Sequence, residues 1–259
     1  MKTPNTSNSS NASNASSRCR EMFDYHCHIL PKIDDGPERM EEAIEMAAAL
    51  RKTGYDTVYC TPHLIKGSYE ADNKDVKSLV KELQKKAIAK KINISFIPGR
   101  EYYLDEYLFD YLQDPLPMGE TNYLMVEIPN HIPRLFAKDA CFRIKQMGFI
   151  PTIAHPERNK LFYISQRKKS LSEKLLGLFF KDDGLSAKEI TLLNYLKNIG
   201  CAFQANLGSF IGWYGERACM TAEYLKKKNV YTHYGTDTHS LNAVKLLVEN
   251  RKKELAMEG

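Results

Sequence analysis

The stretch Met22-Phe23-Asp24-Tyr25-His26-Cys27-His28-Ile29-Leu30-Pro31-Lys32-Ile33-Asp34-Asp35-Gly36 decides the reading of this chain. Its first six residues alternate like a buried strand. The strand runs out in two histidines at i and i+2, which share one face of a pleated strand. A Pro, an acidic pair and a Gly then mark a loop. Immediately downstream, residues 38–52 carry Met40, Ala43, Ile44, Ala47 and Leu50 at helical spacing and stop at Gly54. A strand that ends in polar, chemistry-bearing residues and is followed by an amphipathic helix is one βα unit of a parallel sheet.

The same unit recurs along the chain. Strands are expected at 22–27, 57–61, 93–98, 123–128, 150–154, 202–206 and 231–235. Helices are expected at 38–52, 73–90, 134–147, 187–199, 216–228 and 241–256. Seven strands alternating with helices predict an α/β protein with a mostly parallel sheet. An open sheet would gather ligands at one switch point, and a closed barrel at the C-terminal ends of many strands.

The strand ends favour the barrel. His26 and His28 end the first strand, and Asp34-Asp35 follow in its loop. His63 ends the second (Thr61-Pro62-His63), Glu101 the third (Pro98-Gly99-Arg100-Glu101), and His131 lies just past the fourth (Ile128-Pro129-Asn130-His131). His155 ends the fifth (Ala154-His155-Pro156-Glu157-Arg158), and Asp237 and His239 end the seventh (Gly235-Thr236-Asp237-Thr238-His239). One histidine at a strand end is ordinarily structural; six of the chain's seven in equivalent places is a ligand pattern. His233 lies inside the last strand and reads as a packed or surface residue. The donors are imidazole and carboxylate without thiolate, which suits Zn, Mn or Fe rather than a Cys-rich zinc site or an oxygen-only cage. Nine donors exceed one ion's needs. Shared among two or three, they leave positions open for water and substrate, which generates hydroxide near neutral pH and clamps an oxyanion. Cys27 alternates away from His26 and His28 and reads as packing.

Composition narrows the alternatives. The chain has 259 residues, 37 Lys+Arg and 32 Asp+Glu, and a net charge of +5. No apolar run is long enough to span a bilayer. Lys and Glu alternate without a basic stripe or nucleic-acid-binding motif, so no nucleic-acid partner is expected. Six scattered cysteines without C-x-x-C predict a reducing, cytoplasmic setting. Residues 1–20 are rich in Ser and Asn, lack the apolar core of a secretory signal, and are expected to be disordered. Residues 21–259 read as a single barrel domain with an insert near 166–186 (QRKKSLSEKLLGLFFKDDGLS), either an amphipathic helix packed on the barrel or a lid or oligomer contact.

In order along the chain, DYHCHILPKIDDGP, TPH, PGRE, IPNHIPR, IAHPERN, QANLGSFIGWYG and GTDTH resemble the polymerase-and-histidinol-phosphatase (PHP) superfamily. The nearer likeness is to the bacterial CpsB/CapC/YwqE-type manganese-dependent protein-tyrosine phosphatases. The resemblance implies a distorted, TIM-like (β/α)7 barrel with a metal cluster at the C-terminal strand ends. It implies one ion on His26, His28, Glu101 and Asp237, a second on Glu101, His131 and His155, and a third on Asp35, His63 and His239, with Asp35 preferred to Asp34 and Asp24 orienting a ligand histidine. Manganese is the ion it implies, with iron or zinc as alternatives. Arg134 matches a phosphate-gripping arginine. Arg158 either touches substrate or braces its loop. Only Lys245 is available where a second arginine often follows the last motif.

The implied activity is hydrolysis of phosphotyrosine by metal-held hydroxide, without a cysteine nucleophile or a C-x5-R loop. The implied partner is the phosphotyrosine-bearing tail of a bacterial tyrosine kinase in polysaccharide export. A small-molecule phosphoesterase such as a histidinol-phosphate phosphatase, and a non-catalytic metal-binding regulatory protein, are the alternatives.

Overall fold

The computed structural model describes residues 21–163 and 187–257. The Ser/Asn-rich segment 1–20 and the whole of the expected insert at 166–186 lie outside the described residues.

Every paired strand is parallel. β1 (Phe23–Cys27), β2 (Thr57–Cys60) and β4 (Ser95–Pro98) form one sheet. β3 (His63–Leu64), β5 (Glu101–Tyr103), β6 (Tyr123–Glu127), β7 (Ile150–Ala154), β8 (Ala202–Asn206) and β9 (His233–Gly235) form the other, in that order. The two sheets are continuous through the chain. The second expected strand breaks into β2 and β3 at Thr61-Pro62, where proline removes a ladder donor. The third breaks into β4 and β5 at Gly99-Arg100. Cross-links span the breaks: Gly99 N–H donates to Cys60 O (2.9 Å) and Glu101 N–H to Pro62 O (3.1 Å). On the far side β9 returns to β1, with Asp237 N–H on His26 O (2.7 Å), His28 N–H on Thr238 O (3.1 Å) and a parallel Cys27–Thr238 bridge. Gly235 permits that approach, because a Cβ there would lie 2.5 Å from His26 Cβ. Seven strand positions therefore curl into a barrel.

Helices cover the outer face. α1 (Met40–Lys52) buries Ala43, Met46, Ala47 and Leu50, and ends before Gly54 at φ +100°. α2 (Asn73–Ala89) is capped by the Asp72 carboxylate, which accepts the Asp75 N–H at 2.7 Å, and buries Val76, Val80, Leu83 and Ala87. α4 (Arg134–Gln146), α5 (Ala187–Asn198), α7 (Glu216–Lys227) and α8 (Leu241–Met257) complete the covering. Two short helices, α3 (Leu108–Tyr111) and α6 (Leu207–Phe210), and a 3-10 turn at Pro156–Arg158 have too few residues for a helical period to show in the sequence. No described helix is long and apolar enough to cross a membrane.

One irregularity sets up the site. Between Asp24 and Cys27 the register of β1 against Val58–Cys60 shifts by one residue, a bulge. Tyr25 stacks on Tyr59 (5.0 Å between centroids), while the next residue, His26, faces the carboxylates of the site. The Asp24 carboxylate occupies the gap, accepting from His26 N–H (3.2 Å), Thr236 N–H (2.8 Å) and the Thr236 hydroxyl (2.6 Å).

Candidate metal centre

Glu101, at the start of β5, is fully buried and is the hub of the rim. Its Oε2 lies 3.2 Å from His26 Nε2, 3.3 Å from His28 Nε2 and 3.0 Å from His63 Nδ1, and its Oε1 lies 3.0 Å from His155 Nε2. Asp237 Oδ1 stands 3.4 Å from both His26 Nε2 and His28 Nε2. The two Nε2 atoms are 3.0 Å apart.

The far side of each imidazole fixes its tautomer. His26 Nδ1 is 2.9 Å from Gln204 Oε1 and His28 Nδ1 is 2.7 Å from Asp34 Oδ2. Both partners are acceptors, so both Nδ1 atoms carry the proton and both Nε2 lone pairs face the carboxylates. In these neutral tautomers the Nε2 lone pairs and the carboxylate oxygens converge on one another. His63 Nδ1 and Glu101 Oε2, though 3.0 Å apart, are buried and make no hydrogen bond. Divalent cations fit this donor set.

An outer group joins Asp35, His63 and His239 to His28. His239 Nε2 is 3.3 Å and His63 Nε2 3.8 Å from Asp35 Oδ1. Asp34 and Asp35 divide the work. Asp34 turns inward, accepting from His63 N–H (3.0 Å) and Gly36 N–H (2.9 Å) besides holding His28; Asp35 faces the outer histidines. His155 and Asp237, both non-glycine residues at positive φ (30° and 51°), hold left-handed backbone at the rim, where strain accompanies function.

The electrostatics follow from packing. Burial favours neutral His26, yet Glu101 and Asp237 override it and push its pKa up to about 9. Burial likewise opposes ionisation of Glu101, but His26 and His63 hold its carboxyl well below the usual range. Asp35 is drawn down to about 2 against its burial by His239, His63 and His28. Without a cation the imidazoles would take up protons to balance the carboxylates; a metal ion replaces those protons.

The expected residues separate into three sets. His26, His28, Asp35, His63, Glu101, His155, Asp237 and His239 come together. Arg158 joins them: its Nη1 donates to Asp237 Oδ2 at 2.5 Å, and its guanidinium lies 4.1 Å from the Tyr214 ring centroid. His131 and Arg134 do not join. β6 ends at Glu127 and the chain turns outward at Pro129. Asn159 Nδ2 donates to Ile128 O (2.5 Å) and Lys160 N–H to Asn130 Oδ1 (2.9 Å), pinning this turn away from the cluster. His131 is exposed, its ring 6.5 Å from that of Tyr103. Arg134 opens α4 half-buried and does not line the cleft. Lys245 is exposed on α8, in a groove with Glu45 and Lys52 of α1. Glu127 is instead the residue of this stretch that stands with His63 and Glu101. Its position at the end of β6 was the available signal. Gln204 and Asn206 were also missed. Asn206 Nδ2 donates to Asp237 Oδ2 at 2.6 Å. Buried Arg100 braces the start of β3, donating from Nη1 to His63 O (3.3 Å) and from Nη2 to Ala71 O.

Asp35, His63, Glu127, His155, Asp237 and His239 open onto a cleft of about 380 Å³. A parallel α/β barrel with an imidazole–carboxylate cluster and a cationic Arg158 at one rim defines a metal-dependent hydrolase of the TIM-barrel type. The chain belongs to the CpsB/CapC family of capsular polysaccharide synthesis, whose family model matches residues 22–175.

The tyrosine-protein phosphatase YwqE of Bacillus subtilis is 29% identical over 223 residues, covering 85% of this chain and 78% of the relative. The tyrosine-protein phosphatase CpsB of Streptococcus pneumoniae is 29% identical over 141 residues, covering 53% of this chain and 57% of the relative. A crystal structure reported with YwqE and CpsB as metal-dependent tyrosine phosphatases superposes with a TM-score of 0.68 at 28% identity, covering 88% of this chain and 87% of that one.

Proposed function

We propose that this chain is a metal-dependent protein-tyrosine phosphatase. The observation that carries the reading is the convergence of imidazole and carboxylate donors around Glu101, opening with Arg158 onto one cleft, in a chain similar over most of its length to YwqE. His26, His28, Glu101 and Asp237 would hold one ion; Asp35, His63 and His239 another; and His155 and Glu127 the remainder of the cluster around Glu101. Bound divalent ions supply an activated water and neutralise phosphoryl charge. The chain's own part is positional. Gln204 and Asp34 hold two imidazoles with their lone pairs inward, and Asn206 and Arg158 orient Asp237. The Arg158 guanidinium, kept protonated by Asp237, offers the cleft a fixed cation for the phosphoryl oxygens.

No described cysteine lines the cleft. The Cys27 thiol is pushed up by burial and rests 3.7 Å from Thr238 O, so it is not a nucleophile. Manganese is the ion we propose first, since the donor set suits Mn, Fe or Zn. The substrate we propose is the phosphotyrosine-bearing tail of a bacterial tyrosine kinase, met in the cytoplasm; membership of a capsule-synthesis family supports this.

The test is phosphate release from a phosphotyrosyl peptide by chelator-stripped protein, with and without Mn²⁺, with histidinol phosphate in parallel. Manganese-dependent release from the peptide, unaffected by thiol alkylation, is expected. Release from histidinol phosphate alone, or activity surviving complete metal removal, overturns the reading.

A further inference from the structure

Three apolar side chains share the otherwise ionic cleft: Ile65, Tyr69 and Tyr214. Tyr214 is committed to the site's own architecture. It carries the Arg158 guanidinium on its ring, and its hydroxyl accepts from Asn206 Nδ2 at 3.2 Å. Ile65 and Tyr69 have no such duty. They face each other across a tight hairpin after β3, joined by reciprocal backbone bonds of 2.9 Å, with Gly67 at φ +79° in the turn. Glu70 locks the hairpin, accepting from Lys66 Nζ (2.7 Å), Gly67 N–H (2.9 Å) and the Tyr111 hydroxyl (2.8 Å). The Tyr69 ring lies nearly parallel to that of His63, at 14° and 5.9 Å between centroids. Both residues are only half-buried, so a pre-formed apolar surface stands beside the ligand histidines and remains open to the cleft.

We propose that the Ile65–Tyr69 hairpin is the wall on which the aromatic ring of an aryl phosphate monoester packs, and that it selects phenolic over alkyl esters at this site. The inference rests on the phosphatase reading above and adds its specificity determinant. Glu101, His26 and His28 are fully buried, so a phosphoryl group must enter the cleft to meet them. A phenyl ring entering with it can lie against Tyr69 in offset contact and against Ile65 by simple burial. A short alkyl ester reaches neither. The hairpin is locked before any ligand arrives, so ordering it on binding costs little.

The probes are phenylphosphonate and methylphosphonate, neither of which can be hydrolysed, titrated calorimetrically into the full-length, manganese-loaded protein. The wild type should bind phenylphosphonate about tenfold more tightly than methylphosphonate. Tyr69→Ala should erase most of that ratio, with methylphosphonate affinity changing less than about twofold. Ile65→Ser should erase part of it, and Tyr69→Phe should keep it, since the ring and not the hydroxyl makes the contact. Equal affinities in the wild type, or a ratio untouched by both Tyr69→Ala and Ile65→Ser, overturn the wall. A Tyr69-dependent preference without turnover of a phosphotyrosyl peptide keeps the wall and removes the phosphatase reading. Turnover with an unchanged ratio does the reverse.

Discussion

The two ends of this barrel use the same residue types for opposite purposes. Towards the N-terminal ends of the strands, Tyr25 stacks on Tyr59, and His233 stands edge-on to Tyr25 (4.6 Å) and to Tyr123 (4.8 Å). Among the described residues His233 has no carboxylate partner there, and burial drives its pKa down to about 4. Towards the C-terminal ends, His26 is still more deeply buried, yet Glu101 and Asp237 push its pKa up to about 9. Burial alone makes a histidine a neutral packing group; burial with its lone pair turned toward carboxylates makes it a ligand. The β1 bulge at Asp24–Cys27 marks the boundary, with Tyr25 serving the aromatic end and His26 the ionic one.

Substitution at the hub tests this contrast most severely. Glu101→Gln removes the charge that four histidines face, and should lower turnover at least about 10³-fold together with metal content by elemental analysis. Near-normal values for both would break the picture of a metal rim organised on Glu101. Next comes the choice between Glu127 and His131. Glu127→Ala should cost about 100-fold in activity, whereas His131→Ala should stay within about twofold; the reverse order would return the ninth donor to His131. Asp34→Asn should weaken metal binding about 10- to 100-fold through a misoriented His28, measured by chelator competition. Asp35→Asn should instead remove the outer ion while leaving the inner one.

The smallest effect concerns pH. His233 has a folded pKa of about 4 against an ordinary 6.5, so its contribution to stability is full above pH 6.5 and is lost as pH falls through 4. Allowing for residual solvent access, that is about 1 to 2 kcal/mol. Denaturant unfolding of wild type and His233→Phe between pH 7 and 4 should show the shallower slope in the variant, and equal slopes would refute it. His26 in chelated protein has the opposite sign. Its contribution is present below pH 6.5 and lost as pH rises through about 9, so chelated but not metal-loaded protein should lose melting temperature across that window.

Most of the barrel was legible in the sequence because its signals are local. Buried parallel strands such as Thr57–Cys60 and Tyr123–Glu127 read as apolar or β-branched runs, and α1 and α2 bury the residues that their helical spacing picks out. Eight of the nine expected ligands meet for the same reason: parallel strands deliver their last residues to one rim, so position within a strand already encodes proximity. His131, Arg134 and Lys245 were singled out by motif order, and the fold sets all three apart from the cluster. What a residue meets beyond a strand's end depends on how the loop is pinned, here by Asn159 and Asn130.

Only the tertiary structure set Glu127 rather than His131 beside His63 and Glu101, divided the work of Asp34 and Asp35, and put Gln204 behind His26. It alone placed the bulge that separates Tyr25 from His26, and it set the Ile65–Tyr69 hairpin beside the ligands. Periodicity and residue type fix which face of an element is apolar and which end carries polar groups. Hydrogen-bond tautomers, one-residue register shifts and loop anchoring come from partners tens of residues away, and no local pattern in the chain records them.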